Sequence, residues 1–207
     1  MSQFMRRLRD SHILVTGVTQ SGKTTWAKKY IKGWHGPALF VNTQGENVPG
    51  LKADKKDSLQ AVKNALQQSQ LINYLPSEVD KQAIKEIEVL LLEIKDVATA
   101  KKPLLVVVDE SYVYAPQGAG YSPIYRIARR GLGHNVHGLF ITQRPQDLSK
   151  IVVSQCNYHI IFDSNFSGPY FRQYGLPGDD IAARLQGKKY NYVIWDGKSI
   201  HGPFKDG

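Results

Sequence analysis

Residues 17–24 read Gly17-Val18-Thr19-Gln20-Ser21-Gly22-Lys23-Thr24, preceded by the apolar run Ile13-Leu14-Val15 and followed by a helix-like stretch from Thr25. Two glycines with four residues between them, then lysine and a hydroxyl, are the residue types and spacing of a phosphate-binding loop. Such a loop wraps phosphates with its own N–H groups, and only glycine lets backbone approach so closely without strain. Gly17 and Gly22 fill that need, Lys23 sets a positive charge on the outer phosphates, and Thr24 offers a hydroxyl to magnesium. Thr25 opens a helix whose positive dipole end faces the bound anion. The expected ligand is a nucleoside triphosphate.

Two further segments carry groups that act on such a ligand. Leu104-Leu105-Val106-Val107-Val108 ends in Asp109-Glu110, and five consecutive apolar residues read as a strand buried on both faces of a parallel sheet. At its carboxyl end Asp109 suits the magnesium shell and Glu110 the polarising of an attacking water. Gly138 to Ile141 is another short apolar run, closing on Thr142-Gln143-Arg144-Pro145. An amide such as Gln143 donates or accepts without changing its charge, which suits a sensor touching both terminal phosphate and water.

The elements that must position these groups follow from pattern. Strand at His12–Thr16, helix from Thr25 to about Trp34 and strand at Ala38–Asn42, with Gly36-Pro37 as the turn, make a βαβ start. The segment Lys52 to Asp57 reads as an exposed lysine-bearing loop, followed by a helix from Ser58 to about Gln70. Ser77 reads as an N-cap with Asp80 three residues on, opening a helix with the apolar stripe Ile84, Ile87, Leu91, Ile94 and Ala98. Tyr112 to Pro123 reads as a loop marked by Pro116, Gly118 and Gly120, then a short basic helix with Arg126, Arg129 and Arg130. A helix over Gln146–Gln155, a strand over Tyr158–Phe162 and short helices near Tyr170 and Ile181 lead to a closing hairpin. Its strands are Tyr190–Trp195 and Ile200–Phe204, turned at Asp196-Gly197. The fold class is α/β, with a mostly parallel central sheet, helices on both faces and a C-terminal hairpin.

Composition bounds the rest. A chain of 207 residues without a compositional break suits one domain, 1–207, with its core at about 12–163 and an extension over 164–207. Lysine and arginine number 27 against 18 acids, a net charge of +9, which points to an anionic polymer or surface as partner. No apolar stretch approaches a bilayer span and no signal-peptide core follows Met1 to Arg9, so a soluble cytoplasmic protein is expected. A single cysteine, Cys156, excludes an internal disulfide and a cysteine-rich zinc site.

The sequence of phosphate loop, two-helix interval, Asp-Glu strand, basic helix and strand ending Thr-Gln-Arg-Pro resembles the FtsK-HerA superfamily of DNA-pumping ATPases. Short length, without membrane anchor or added DNA-recognition domain, looks most like the genome-packaging ATPases of tailless icosahedral viruses with internal membranes. The resemblance covers residues 12 to 163 and is most specific over Leu139 to Phe162. It implies a RecA-like sheet, ATP and Mg2+ as cofactors, and a homo-oligomeric ring of six or five subunits threaded by double-stranded DNA. Viral portal or capsid vertex proteins would be further partners, and the location cytoplasmic and virion-associated.

Carried over singly, Gly17, Val18, Thr19, Gln20, Ser21, Gly22, Lys23, Thr24 and Thr25 hold the nucleotide. Thr24 and Asp109 hold magnesium, Glu110 activates water and Gln143 senses the γ-phosphate. Many relatives place a trans-acting arginine two residues after Arg130, where this chain has Leu132; Arg129 and Arg130 are the nearest substitutes, with Arg144 behind them. The DNA-gripping loops are expected at Lys52, Lys55 and Lys56 and at Gln117 to Tyr121. Rival classes fit less well. A thymidine-type nucleoside kinase would need cysteines for zinc, a GTP switch an Asn/Thr-Lys-x-Asp segment, and a transporter ATPase a Ser-Gly-Gly-Gln signature. A nucleotide-gated adaptor would have little use for Glu110. A nucleoside kinase and a plasmid or cellular translocase remain the alternatives.

Overall fold

Five consecutive apolar residues are stable together only where both faces of their strand are covered, and Leu104–Val108 meets that condition, every residue being buried. The computed structural model describes residues 7–45, 48, 52–55, 59–68, 71–76, 81–163 and 171–205, with backbone alone at 52–55, 59, 81–84 and 95. Its elements are β1 (Ile13–Thr16), α1 (Lys23–Lys32), β2 (Ala38–Val41), β3 (Lys52–Lys55), α2 (Leu59–Gln67), β4 (Leu71–Leu75), α3 (Lys81–Glu93), β5 (Leu104–Val108), α4 (Ser111–Tyr114), α5 (Pro123–Arg130), β6 (Val136–Thr142), α6 (Lys150–Gln155), β7 (Tyr158–Phe162), α7 (Gly178–Leu185), β8 (Asn191–Trp195) and β9 (Ile200–Lys205). Among the described residues the strands form one nine-stranded sheet in the order β3-β4-β2-β5-β6-β1-β7-β8-β9. Every pairing from β3 to β7 is parallel. The pairings of β7 with β8 and of β8 with β9 are antiparallel, the latter being the closing hairpin.

Alternation along each strand divides the core in two. Leu14, Leu39, Val106 and Phe140 pack with Val62 of α2, Ile87 and Leu90 of α3, Ile127 of α5 and Val152 of α6. Ile13, Val15, Leu105, Val107 and Ile141 face the other way, onto Trp26, Ala27, Tyr30 and Ile31 of α1. Those α1 positions fall on one stripe of a helix, and the helix stops at Gly33. Trp26 is 4% exposed and stacks on Tyr30 at 5.4 Å between centroids, with Tyr192 of β8 edge-on at 6.4 Å. α1 is thereby anchored to the hairpin as well as to the sheet. α7 covers Ile161 and Val193 with Ile181 and Leu185.

Several expectations are corrected. Lys52–Lys55 is not a loop but the edge strand β3, parallel to β4, and Lys56 lies outside the described residues. Lysine is a common guard of edge strands, so the segment reads as polar loop when taken alone. β4 itself escapes a periodicity reading because Asn73 interrupts its apolar run. The structure tolerates a buried Asn73 because Asn42 Nδ2 donates to its Oδ1 at 3.0 Å. The loop expected after the acids begins with the single-turn α4, and the helix expected over Gln146–Gln155 is broken into a 3-10 turn at Pro145–Asp147 and α6. The Ser77 cap and the helix near Tyr170 lie outside the described residues, as does the side chain of Ile84. Ile87, Leu91, Ile94 and Ala98 do turn toward the core.

Replacing Trp26 by alanine leaves a void where helix, sheet and hairpin meet, and is expected to cost about 3–5 kcal/mol. Urea denaturation at neutral pH measures it; a loss below about 1 kcal/mol would show that α1 is not held through this ring.

Candidate active site

In the sheet β5, β6, β1 and β7 are consecutive and parallel, so all four point their carboxyl ends to one edge. Asp109, Gln143, Gly17 and Asp163 are each the first residue past their strands, and Thr16 pairs with Thr142 on one side and Ile161 on the other. The chemistry-bearing segments are thus brought together by strand registration, at the edge where open parallel sheets bind ligands.

The phosphate loop leaves β1 in a conformation that side chains oppose. Gly17 has φ 156° and Gly22 φ 108°. A Cβ on Gly17 would stand 2.7 Å from both Phe162 Cβ and Ser21 Oγ. Val18 N–H donates to the Asp163 carbonyl at 3.1 Å and Ser21 N–H to the Val18 carbonyl at 3.2 Å, which close the loop onto β7. Lys23 Nζ donates to the Val18 carbonyl at 2.7 Å, laying its ammonium across the loop. Gly22 is the N-cap of α1 and gives no side-chain cap, so the first N–H groups of the helix point at the cradle as anion donors.

On the β5 side the chain turns sharply at Glu110, whose φ of 46° and ψ of 49° put a non-glycine residue in the left-handed region. Its N–H donates to Asp109 Oδ1 at 3.1 Å, and the Asp109 carbonyl accepts from Thr43 Oγ1 at 3.0 Å, so both acids are fixed from their backbones. Burial pushes the Glu110 carboxyl above the usual carboxylate range, opposed by the Lys23 cation, the Gln143 backbone N–H and Arg144. Gln143 Oε1 accepts from Thr19 Oγ1 at 2.5 Å, joining the end of β6 to the loop. Loop, acid pair and amide therefore share one small volume.

Among the described residues four buried side-chain atoms have no hydrogen-bond partner: Thr16 Oγ1, Ser21 Oγ, Glu110 Oε2 and His137 Nδ1. Ser21 belongs to the phosphate loop and Glu110 to the acid pair, whereas Thr16 lines a small cavity with Leu14, Pro145, Val153 and His159. Buried polar atoms are nearly always satisfied, and each left alone costs about 1–3 kcal/mol, so the open Ser21 and Glu110 oxygens suit a place built for a polar ligand. The donor set also fits magnesium, which takes one or two protein oxygens and fills its other positions with phosphate and water. The half-buried Thr24 and the 5% exposed Asp109 would supply those oxygens.

The arginines divide. Arg144 lies on the rim, 5.7 Å from the Tyr112 ring centroid and 4.0 Å from the Asp147 carboxylate. Arg129 and Arg130 are exposed at the end of α5, just before the amino end of β6. That is a strand's length, about 20 Å, from Gln143, so they do not reach their own phosphate loop. Gln117 and Tyr121 are exposed, and their loop is tied to the segment after Gln143 by Gln117 N–H donating to the Asp147 carbonyl at 2.7 Å. Sequence reasoning missed Phe162 and Asp163, which pack against and close the loop. Neither had a signal before β7 was placed beside β1.

Lys23→Ala should lower kcat/KM for ATP hydrolysis by about 10²-fold or more, the scale of a lost charge-stabilising donor; steady-state assays measure it. Glu110→Gln should lower turnover about 10²–10⁴-fold, the scale of a lost general base, while ATP still binds. The ionised acid is disfavoured by burial, so its folded pKa is raised and the stability tied to its proton is lost as pH rises through that pKa. The glutamine variant should accordingly melt higher than the parent at neutral pH, with the gap closing in acid. In the parent, hydrolysis should fall as pH drops through a value above the ordinary carboxylate range.

No family model matches the chain. It is 35% identical over 88 residues to "DNA double-strand break repair helicase HerA" of Pyrococcus furiosus, a match covering 41% of this chain and 16% of that protein. It is 32% identical over 127 residues to "Probable helicase MJECL08" of Methanocaldococcus jannaschii, covering 58% of this chain and 24% of that one. The chain thus spans less than a quarter of the length of these curated relatives. In fold it matches the genome packaging NTPase B204 from Sulfolobus turreted icosahedral virus 2 in complex with ATP-gammaS, with a TM-score of 0.76 over 95% of this chain and 98% of that one at 18% identity. The chain is thus similar in sequence to these two helicases over part of its length, and in its P-loop NTPase fold to the viral genome packaging NTPase over nearly all of it.

Proposed function

We propose that this chain hydrolyses ATP and couples the hydrolysis to movement of double-stranded DNA, as a ring-forming motor that packages a viral genome. The observation that carries the catalytic half is the meeting of phosphate loop, acid pair and Gln143 at one sheet edge, with Gln143 bonded to Thr19 and Glu110 Oε2 buried without a partner. The loop N–H groups and Lys23 bind the phosphates. Bound Mg2+, held by Thr24 and Asp109, would draw negative charge from the outer phosphates. Glu110 takes the proton of the attacking water, and Gln143, already tied to Thr19, holds the water or the γ-phosphate oxygen in line.

The mechanical half is supported by connectivity. The segment after Gln143 is joined to the loop before α5 by the Pro116–Leu148 bridge, by Gln117 N–H to the Asp147 carbonyl and by Ser149 N–H to the Ala115 carbonyl at 2.8 Å. A shift at Gln143 is therefore passed by backbone contacts to Gln117–Tyr121, the candidate DNA-facing loop. Arg129 and Arg130 are exposed and lie far from their own cradle, which supports a role at a neighbouring subunit's γ-phosphate. Losing that phosphate would break a charge-assisted contact across the boundary. The surplus of 27 basic over 18 acidic residues suits a backbone grip indifferent to base sequence. The packaging reading is supported by the fold match to the viral genome packaging NTPase, with a TM-score of 0.76. Among the described residues no helix is long and apolar enough to cross a membrane, which accords with action in the cytoplasm or at the virion vertex.

Duplex DNA added to the protein should raise ATP turnover, and thymidine should leave it unchanged. The reverse pattern would replace the motor by a nucleoside kinase. DNA affinity should fall with salt with a log–log slope on the order of −0.9 per phosphate contacted; a salt-insensitive complex would contradict the backbone grip.

A further inference from the structure

The phosphate loop has an aromatic neighbour that no motif marks. Tyr190 opens the closing hairpin one residue before β8, and a Cβ built on Gly22 would stand 3.7 Å from its Cδ1. Its ring therefore lies against the loop, with Phe162 beneath the same glycine. Tyr190 is nonetheless 41% exposed. Its φ is 64°, a left-handed conformation that a bulky side chain rarely adopts. A tight turn imposes it: Gly187 has φ 68°, Lys188 N–H donates to the Leu185 carbonyl at 3.0 Å and Asn191 N–H to the Lys188 carbonyl at 3.1 Å. The Lys189 ammonium, 5.1 Å from the ring centroid, steadies the ring further. A surface aromatic held in a strained backbone beside a ligand cradle is the profile of a ligand clamp.

The strand order says which part of the ligand it meets. The acid pair and Gln143, which act on the terminal phosphate, follow β5 and β6 on one flank of β1. β7 and β8 lie on the other flank, and Tyr190 stands there. A triphosphate stretched over the loop with its γ end toward β5 and β6 carries its nucleoside toward β8. From this geometry we infer that Tyr190 is the stacking platform for the nucleotide base, a purine by preference because its two fused rings cover more of the phenol face. The inference rests on the nucleotide reading of the loop and deepens it by naming the base-holding residue. Stacking is tolerant of base identity, so the platform accepts adenine and guanine alike and adds affinity instead of selectivity between them.

Calorimetric titration with ATP and, separately, with inorganic tripolyphosphate tests it, both at the same Mg2+ concentration. The proteins compared are the parent chain, Tyr190→Ala, Tyr190→Gly and Tyr190→Trp. Glycine relieves the left-handed backbone, so that variant keeps the turn while losing the ring. The expected result is an ATP affinity about ten-fold lower in the alanine and glycine variants, unchanged tripolyphosphate affinity in both, and ATP affinity retained by tryptophan. ATP affinity equal to the parent's in the alanine and glycine variants would overturn the inference. So would equal losses for ATP and tripolyphosphate, since the residue would then be shaping the phosphate loop. A parent chain that binds neither compound would instead overturn the nucleotide reading itself, and with it this one.

Discussion

Parallel hydrogen bonding of β1 to β6 on one side and β7 on the other is the constraint from which the site follows. Strand registration at Thr16 with Thr142 and Ile161 sets the ends of three strands level. It places the phosphate loop between an amide-bearing strand end and the Asp163 carbonyl that closes it. β5 pairs with the far side of β6 and adds the two acids. None of these groups needs a loop of special length to reach the cradle, because each is the first or second residue beyond its strand. A slip of one residue in any of the pairings would exchange the faces of that strand and move its catalytic end away. The two-sided core, with α1 on one face and α2, α3, α5 and α6 on the other, makes such a slip costly.

Several groups at the site are held in states that cost free energy without a ligand. Glu110 is buried with one unpartnered oxygen on a left-handed backbone, and Ser21 keeps a buried hydroxyl unpaired. The interior elsewhere takes more trouble. Asn42 meets Asn73, His12 Nδ1 accepts from the Gly138 N–H at 2.8 Å, and Tyr74 hydrogen-bonds Glu86. The open Glu110 and Ser21 oxygens at the site are the usual trade of stability for activity at reactive sites.

Much of the site was legible because its residues act locally. Gly17 to Thr24 form one turn whose spacing is its mechanism, and Asp109, Glu110 and Gln143 end apolar runs that could only be buried strands. The hairpin at Asp196-Gly197 was equally readable, since Asp196 Oδ1 accepts the N–H groups of Lys198 and Ser199 at 2.9 and 2.8 Å. Segments governed by distant partners were not. β3 is polar because it is an edge, β4 carries an asparagine matched only by β2, and the break between Pro145–Asp147 and α6 accompanies the pairing of Leu148 with Pro116. In each case the deciding neighbour is far along the chain.

The sequence by itself determined that a phosphate loop, an acid pair and a polar sensor exist on an α/β scaffold, since glycine spacing and buried apolar runs depend on backbone sterics and hydration alone. Only the tertiary structure decided which strands are neighbours. It thereby set Gln143 against Thr19, Phe162 beneath Gly17, Tyr190 beside Gly22, and Arg129 and Arg130 at the far end of the sheet. Strand order is fixed by which faces bury the most apolar surface together, a property of the whole packed core that no single segment carries.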